Sequence, residues 1–250
     1  MSFVTVTYAV LFYVATVVLV GGLAHRVALY ARTPSPLKIP TTPAPLTQGG
    51  AAFRVAREVV IFESLFRSDK WLWTFAALFH FGMALVLLRH ARYFVPSGFE
   101  PLWTLIVLVQ PFGKYAAFAM VAGLGALFLR RLVVPRIRYI TGPSDLLMLV
   151  LLGGIGLTGA GMTFVSHVDI VGLKGFFLGL MTFNWQALPT DALLLIHLFL
   201  VATLMIVFPF SKLLHAPGVF FSPTRTQCDD ARERRHVAPW AMPMDAQRGN

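Results

Sequence analysis

Five apolar runs, each close to the length that crosses a membrane, constrain what this chain can fold into. A helix needs about 20 residues to cross roughly 30 Å of hydrocarbon. Of the 250 residues, 57% are hydrophobic and only 13% are charged, and soluble domains do not show this balance. We therefore predict an all-α membrane protein with five transmembrane helices, at residues 4–25, 71–91, 113–131, 145–165 and 192–214.

The segments between the runs have distinct compositions. TPSPLKIPTTPAP holds too many prolines for a helix and predicts an extended connector. AAFRVAREVVIFESLF (51–66) has apolar and charged residues at helical spacing, which predicts an amphipathic helix for the membrane interface or a partner subunit. A further interfacial helix is expected in the loop 166–190. The predicted organisation is a first transmembrane helix at 1–30, a cytoplasmic connector with its amphipathic helix at 31–70, a dihaem cytochrome b core (argued below) of transmembrane helices 2–5 at 71–215, and a cytoplasmic tail at 216–250.

Two prolines interrupt the apolar pattern. Residues 103–109 are apolar but precede Gln110 and Pro111, so we expect an interfacial lead-in that is separate from the third span. Pro209 removes a backbone hydrogen bond from the fifth span and is expected to kink it. The first run has no basic segment before it and no obvious small-residue cleavage site, so we expect it to be retained as a helix.

Basic side chains divide unevenly between the two sides of the membrane. With five spans, 17 of the 21 Lys and Arg fall on one side and four on the other. The positive-inside rule then predicts a periplasmic N-terminus and a cytoplasmic C-terminus. The net charge of +10 is explained by this topology, so we predict no nucleic-acid partner. The four basic residues on the outer side are Arg89, Arg92, Lys114 and Lys174.

Four histidines lie in or at the ends of two spans, where ionisable groups are costly and indicate a function. His80 and His90 belong to the second span, and His197 and His215 to the end regions of the fifth. A single such histidine can simply hydrogen-bond a neighbouring helix, but four on two helices favour a shared role. Because the two spans run in opposite directions, topology pairs His90 with His197 at the outer end. It pairs His80 with His215 at the inner end, and a spacing of 18 residues returns His215 to the helix face of His197.

Haem suits such paired imidazoles better than a bare metal ion does. Zinc needs four ligands or an open water position, and no Cys, Asp or Glu lies at these depths. Haem brings four nitrogens and needs one or two axial ligands from the protein. The chain has one cysteine and no C-x-x-C-H motif, so the predicted cofactors are two non-covalent b haems. Two histidines on each iron favour electron transfer.

Longer motifs carry a resemblance to a known family. They are the His80/His90 spacing, LRRLVVPRIR followed by TGPSDLLMLVLL, and LIHLFLVATLMIVFPFSKLLH. From about residue 71 to 221 the chain resembles the NarI family, the cytochrome b gamma subunits of respiratory nitrate reductases. KIPTTPAPL, FESLFRSDKWLW and LLHAPGVFFSP are more similar to the DsrM branch, the membrane cytochrome b subunit of the Dsr (DsrMKJOP) complex of sulfur metabolism.

The resemblance implies that His80, His90, His197 and His215 are the axial ligands of two b haems. It also implies exchange of electrons between menaquinone or ubiquinone and a cytoplasmic iron–sulfur subunit similar to DsrK and heterodisulfide reductase. The resemblance implies, finally, that the complex has further membrane and periplasmic subunits and lies in a bacterial inner membrane.

The resemblance also implies a quinone site beside the outer haem. Lys114 is the counterpart of a family lysine before the third span, and Arg89 and His90 complete the expected site. A lysine there can equally extend its amine to the membrane interface without binding quinone. Two other functions stay open for the chain. One is the gamma subunit of a nitrate reductase-type complex, and the other is a haem-free membrane anchor or transporter with a histidine proton relay.

Overall fold

The computed structural model describes residues 1–35 and 39–230 and is helical. Within these ranges, five helices are long and apolar enough to cross a membrane, as predicted. The helices are α1 (Phe3–Arg32), α2 (Gln48–Ile61), α3 (Glu63–Ser68), α4 (Lys70–His90), α5 (Leu102–Val133), α6 (Pro135–Tyr139), α7 (Pro143–Gly161), α8 (Ile170–Met181), α9 (Ala192–Val207), α10 (His215–Gly218) and α11 (Pro223–Thr226).

Aspartates begin three of these helices. Asp69 accepts the backbone N–H of Leu72 at the start of α4, and Asp169 and Asp191 do the same for α8 and α9. Each carboxylate satisfies a backbone donor that has no partner inside the helix. The backbone N–H of Leu72 and the nearby Arg130 guanidinium together lower the pKa of Asp69. The helix starts are therefore fixed by local sequence.

α5 differs from the prediction at its first turns. The expected lead-in at 103–109 is wrong, because one helix runs from Leu102 to Val133 with Pro111 inside it. Proline removes one backbone hydrogen bond. Breaking the helix in hydrocarbon would leave several polar backbone groups without partners, which costs more. Trp103 and Gln110 consequently lie two turns apart on one helix.

α4 and α5 pack with their backbones in contact. A Cβ built on Gly123 of α5 would lie 2.6 Å from the backbone nitrogen of Phe79. One built on Gly82 of α4 would lie 2.8 Å from the backbone nitrogen of Met120. Small residues at such crossings let membrane helices approach closely. α5 then packs on α7, and α7 on α9, which gives the four helices that carry most of the predicted site.

α1 packs against α8 and α9 through one face. Its buried residues recur at helical spacing, and the opposite face exposes valines, including Val6, Val10 and Val14. The Tyr8 hydroxyl donates to the carbonyl of Leu195 at 2.8 Å. Because both faces are apolar, the exposed one suits lipid. The buried face consists of Thr5, Ala9, Phe12 and Ala15.

α9 ends earlier than the predicted fifth span. The helix stops at Val207, and two 3-10 turns with an extended Ser211 between them lead to α10. Pro209 has no N–H with which to continue the helical hydrogen bonds. The prediction that the span continues to residue 214 is therefore wrong, and His215 does not share a helix face with His197.

The chain forms two compact units. The first contains residues 1–23 and 64–213, and the second contains, among the described residues, 24–35, 39–63 and 214–230.

In the second unit α2 packs on α11. Arg54 donates through Nη2 to the carbonyl of Arg225 at 2.8 Å. The predicted single helix 51–66 is instead two helices, because Phe62 adopts a left-handed conformation with φ of 50°. The Arg57–Glu63 ion pair spans this break.

Candidate haem-binding site

The predicted outer pair of histidines lies together in the first unit. His90 is the last residue of α4, and His197 is a buried residue in the second turn of α9. Their ring centres are 6.3 Å apart, and the ring planes differ by 18°. A metal–imidazole bond is about 2 Å long, so two imidazoles on opposite sides of one metal have centres about 6 Å apart. The separation fits two axial ligands of one iron.

Hydrogen bonds fix the tautomer of both histidines on α4. Nδ1 of His90 lies 2.6 Å from the carbonyl oxygen of Val86, and Nδ1 of His80 lies 2.8 Å from that of Ala76. A carbonyl can only accept, so Nδ1 carries the proton and Nε2 carries the lone pair. Metal-binding histidines generally need this arrangement, in which the second nitrogen donates to an outer partner.

α7 orients His197 in the same way. Thr158 lies with Oγ1 2.9 Å from Nδ1 of His197 and donates its own proton to the carbonyl of Gly154 at 2.7 Å. The hydroxyl is therefore the acceptor for His197, whose Nε2 keeps its lone pair. A Cβ on Gly159 would lie 3.3 Å from Cε1 of His197. The glycine gives the imidazole room against α7.

The donor set suits haem better than a bare ion. In the described part of the chain, no three or more His, Cys, Asp or Glu side chains cluster as metal ligands. A pair of imidazoles is too few for a structural zinc site. Haem supplies four of the six iron ligands itself and needs only this pair.

The predicted inner pair is divided between the two units. His80 is half-buried on α4 in the first unit. His215 is exposed at the start of α10 in the second unit. Their pairing stays a prediction.

Comparison with known proteins places the chain in a family. Residues 50–228 match the family described as nitrate reductase gamma subunit. The chain belongs to this family. The match contains all four predicted ligand histidines, and it confirms the resemblance seen in the motifs.

Two relatives are similar to nearly the whole length of the chain. Both are described as Hdr-like menaquinol oxidoreductase cytochrome b-like subunits. The one from Archaeoglobus fulgidus is 35% identical over 91% of this chain and 81% of its own. The one from Archaeoglobus profundus is 33% identical over 91% of this chain and 80% of its own.

A buried aspartate anchors the segment before His215, and the sequence analysis did not identify it. Asp145, in the first turn of α7, lies with Oδ1 2.7 Å from Nζ of Lys212. Its Oδ2 accepts the N–H of Gly142 and lies 3.7 Å from Nη1 of Arg131. The signal was the Asp in TGPSD, at the third position of a helix that begins with proline. The contact ties down the chain that follows the break at Pro209.

The structure keeps the three predicted quinone residues, Lys114, Arg89 and His90, out of the described lining of the cavity near the end of α4. Lys114 lies with Nζ 5.2 Å from the ring centre of Phe164 and 5.8 Å from that of Tyr115. Arg89 accepts the Gln110 amide through its carbonyl oxygen. That cavity is instead lined by Arg92, Gln110 and Lys174 among others.

Proposed function

We propose that the chain is a dihaem b-type membrane subunit that carries electrons between the quinone pool and a cytoplasmic iron–sulfur partner. The observation that carries the proposal is the His90–His197 pair, with ring centres 6.3 Å apart. The name of the relatives supports menaquinol as the quinol and a cytochrome b-like subunit as the role.

The side chains of the pair supply ligation and orientation. When bound, haem b supplies one-electron transfer, and two axial imidazoles leave its iron no open position for oxygen chemistry. His90 and His197 would hold the iron, each through Nε2. Val86 and Thr158 accept their Nδ1 protons and so hold each ring in the binding tautomer.

The second haem of the proposal belongs to His80 and His215. His80 has the same carbonyl-bound Nδ1 as His90. The Asp145–Lys212 contact fixes the chain three residues before His215. Two haems at different depths would make an electron path across the membrane.

Charge supports the proposed orientation and partner. In the predicted topology 17 of the 21 Lys and Arg fall on one side, and the positive-inside rule then favours a cytoplasmic C-terminus and a His90–His197 pair near the outer face. A basic cytoplasmic surface attracts an acidic partner surface.

We assign that partner to an iron–sulfur subunit of the heterodisulfide reductase type, because the relatives are described as Hdr-like. The complex would include further membrane and periplasmic subunits of the Dsr type, in a bacterial inner membrane.

The proposal is tested by the haem content of the purified chain. A pyridine haemochrome spectrum and a protein assay should give two b haems per chain. His90→Ala should lower the value towards one. His167→Ala, which changes a histidine in a turn outside the proposed set, should leave two. A wild-type value of zero would favour the haem-free anchor and end the proposal.

The family match supports a second candidate, the gamma subunit of a nitrate reductase-type complex. The two differ in the electron acceptor. Nitrate added to membranes with pre-reduced haem should reoxidise it only if the partner is a nitrate reductase. Two results together would favour the first candidate. Nitrate would not reoxidise the haem, and the purified complex would contain an iron–sulfur protein of the heterodisulfide reductase type.

A further inference from the structure

A cavity of about 240 Å³ lies beside the end of α4. Its walls come from the short turn after His90, from the first turns of α5 and from α8. Arg92, Gln110 and Lys174 supply the polar part of the lining, and Tyr93 and Trp103 supply aromatic walls. Three aliphatic side chains complete it. Because α5 is helical from Leu102 onward, Trp103 and Gln110 project from the same face of that helix.

The polar groups of the cavity are held in place. Arg92 donates through Nη1 to Oε1 of Gln110 at 2.8 Å. Gln110 in turn donates through Nε2 to the carbonyl of Ile106 at 3.1 Å. Nζ of Lys174 lies 4.2 Å from the ring centre of Trp103. None of the described residues that line the cavity is acidic, so its two cations suit a ligand with acceptor oxygens.

The cavity adjoins the proposed outer haem site. The ring of Tyr93, one of its walls, has its centre 5.9 Å from that of His90. Aromatic and aliphatic walls with a few fixed donors are typical of sites for flat apolar ligands. Its volume is below the roughly 300–1,000 Å³ of pockets for whole drug-sized ligands. The space therefore suits a single ring system, with any long apolar tail left in lipid.

We infer that this cavity binds the headgroup of the quinone, with Arg92 and Lys174 as donors to its two carbonyl oxygens. The inference rests on the proposed function and moves the quinone site away from Lys114, whose amine lies against Phe164 and Tyr115. The phosphate of an anionic phospholipid offers acceptor oxygens too. The flat aromatic walls favour the quinone.

Equilibrium binding of menadione, a naphthoquinone without a tail, tests the inference on the full haem-loaded chain in detergent. Lys174→Gln and Arg92→Gln should each raise the dissociation constant about tenfold, as expected for one lost hydrogen bond from a charged donor. Lys174→Arg should restore most of the affinity. Lys114→Gln, the matched control at another outer cation, should bind like wild type. Dithionite-reduced spectra should show the same haem content in all four variants.

Two results would overturn the inference. In the first, Lys114→Gln weakens menadione binding while both cavity variants bind normally. In the second, the cavity variants lose co-purifying phospholipid phosphorus but bind menadione like wild type, which would assign the cavity to lipid. The proposed function has a separate readout, the reduction of haem by menadiol in the wild-type protein. If menadiol reduces no haem that dithionite can reduce, the proposed function fails even where menadione binds in the cavity.

Discussion

At the scale of single residues, Thr158 helps to hold His197 in the tautomer that keeps a lone pair on Nε2. The hydroxyl accepts the Nδ1 proton of His197 because it has already donated to the carbonyl of Gly154. The Thr158 hydroxyl contacts Nδ1 of His197 on α9. Backbone carbonyls accept the Nδ1 protons of His80 and His90 on α4 in the same way. Three histidines of the predicted set thus share one tautomer through two kinds of acceptor.

Thr158→Val should weaken haem binding at the outer pair. Valine keeps the shape of threonine but removes the hydroxyl that contacts Nδ1 of His197, and loss of such an outer partner typically costs about 10- to 100-fold in metal affinity. Haem retention during dilution or competition with apomyoglobin measures the change. Thr163→Val is the control, because the Thr163 hydroxyl bonds the carbonyl of Gly159 and no histidine. Equal retention in both variants would show that Thr158 does not support the ligand.

At the scale of helices, the contact between α4 and α5 depends on glycine. Gly123→Ala would place a Cβ 2.6 Å from the backbone nitrogen of Phe79, next to His80, and the two helices would have to separate. We expect a lower melting temperature and reduced haem content. On Gly125 an added Cβ would have no described atom within 4 Å, so Gly125→Ala should be neutral or slightly stabilising, since alanine favours helices by about 1 kcal/mol over glycine. Equal melting temperatures would contradict the packing argument.

The effect of a proline on the length of a helix is not predictable from this sequence. Hydropathy and length predict the five spans, because a membrane leaves a chain few alternatives. They do not predict that Pro111 stays inside α5 while Pro209 follows the end of α9. The difference lies in what each segment contacts next. After Pro111, Gly113 lets α5 continue along α4, whereas after Pro209 the Lys212 amine is held by Asp145 in another helix.

The sequence predicts some contacts of the candidate site and not others, because side-chain packing decides them. The antiparallel topology predicts that His90 and His197 meet, and their rings do lie together. Lys114 was predicted from the family resemblance and stays a prediction. The cavity lined by Arg92 and Lys174 could not be predicted from the sequence, because these two residues are 82 positions apart and only the packing of α8 brings both to one cavity.

At the scale of the whole molecule, the distribution of charge predicts the orientation in the membrane. Gly98→Cys, in an exposed loop on the proposed outer side, should react with an impermeant maleimide in intact cells. Tyr139→Cys, at a position 93% exposed on the proposed cytoplasmic side, should react only after lysis. Both variants should carry Cys228→Ser, which removes the one native thiol. The reverse labelling pattern would invert the topology and move the His90–His197 pair to the cytoplasmic end.

In the proposed function, His90 and His197 hold one haem, and His80 and His215 hold the other. Redox titration of the four single histidine-to-alanine variants, followed in the visible spectrum, measures this pairing. The variants should fall into two classes. His90→Ala and His197→Ala should lose or shift the same redox component, and His80→Ala and His215→Ala the other. If His80→Ala instead affects the component that His197→Ala affects, the pairing is wrong and so is the proposed arrangement of the two haems.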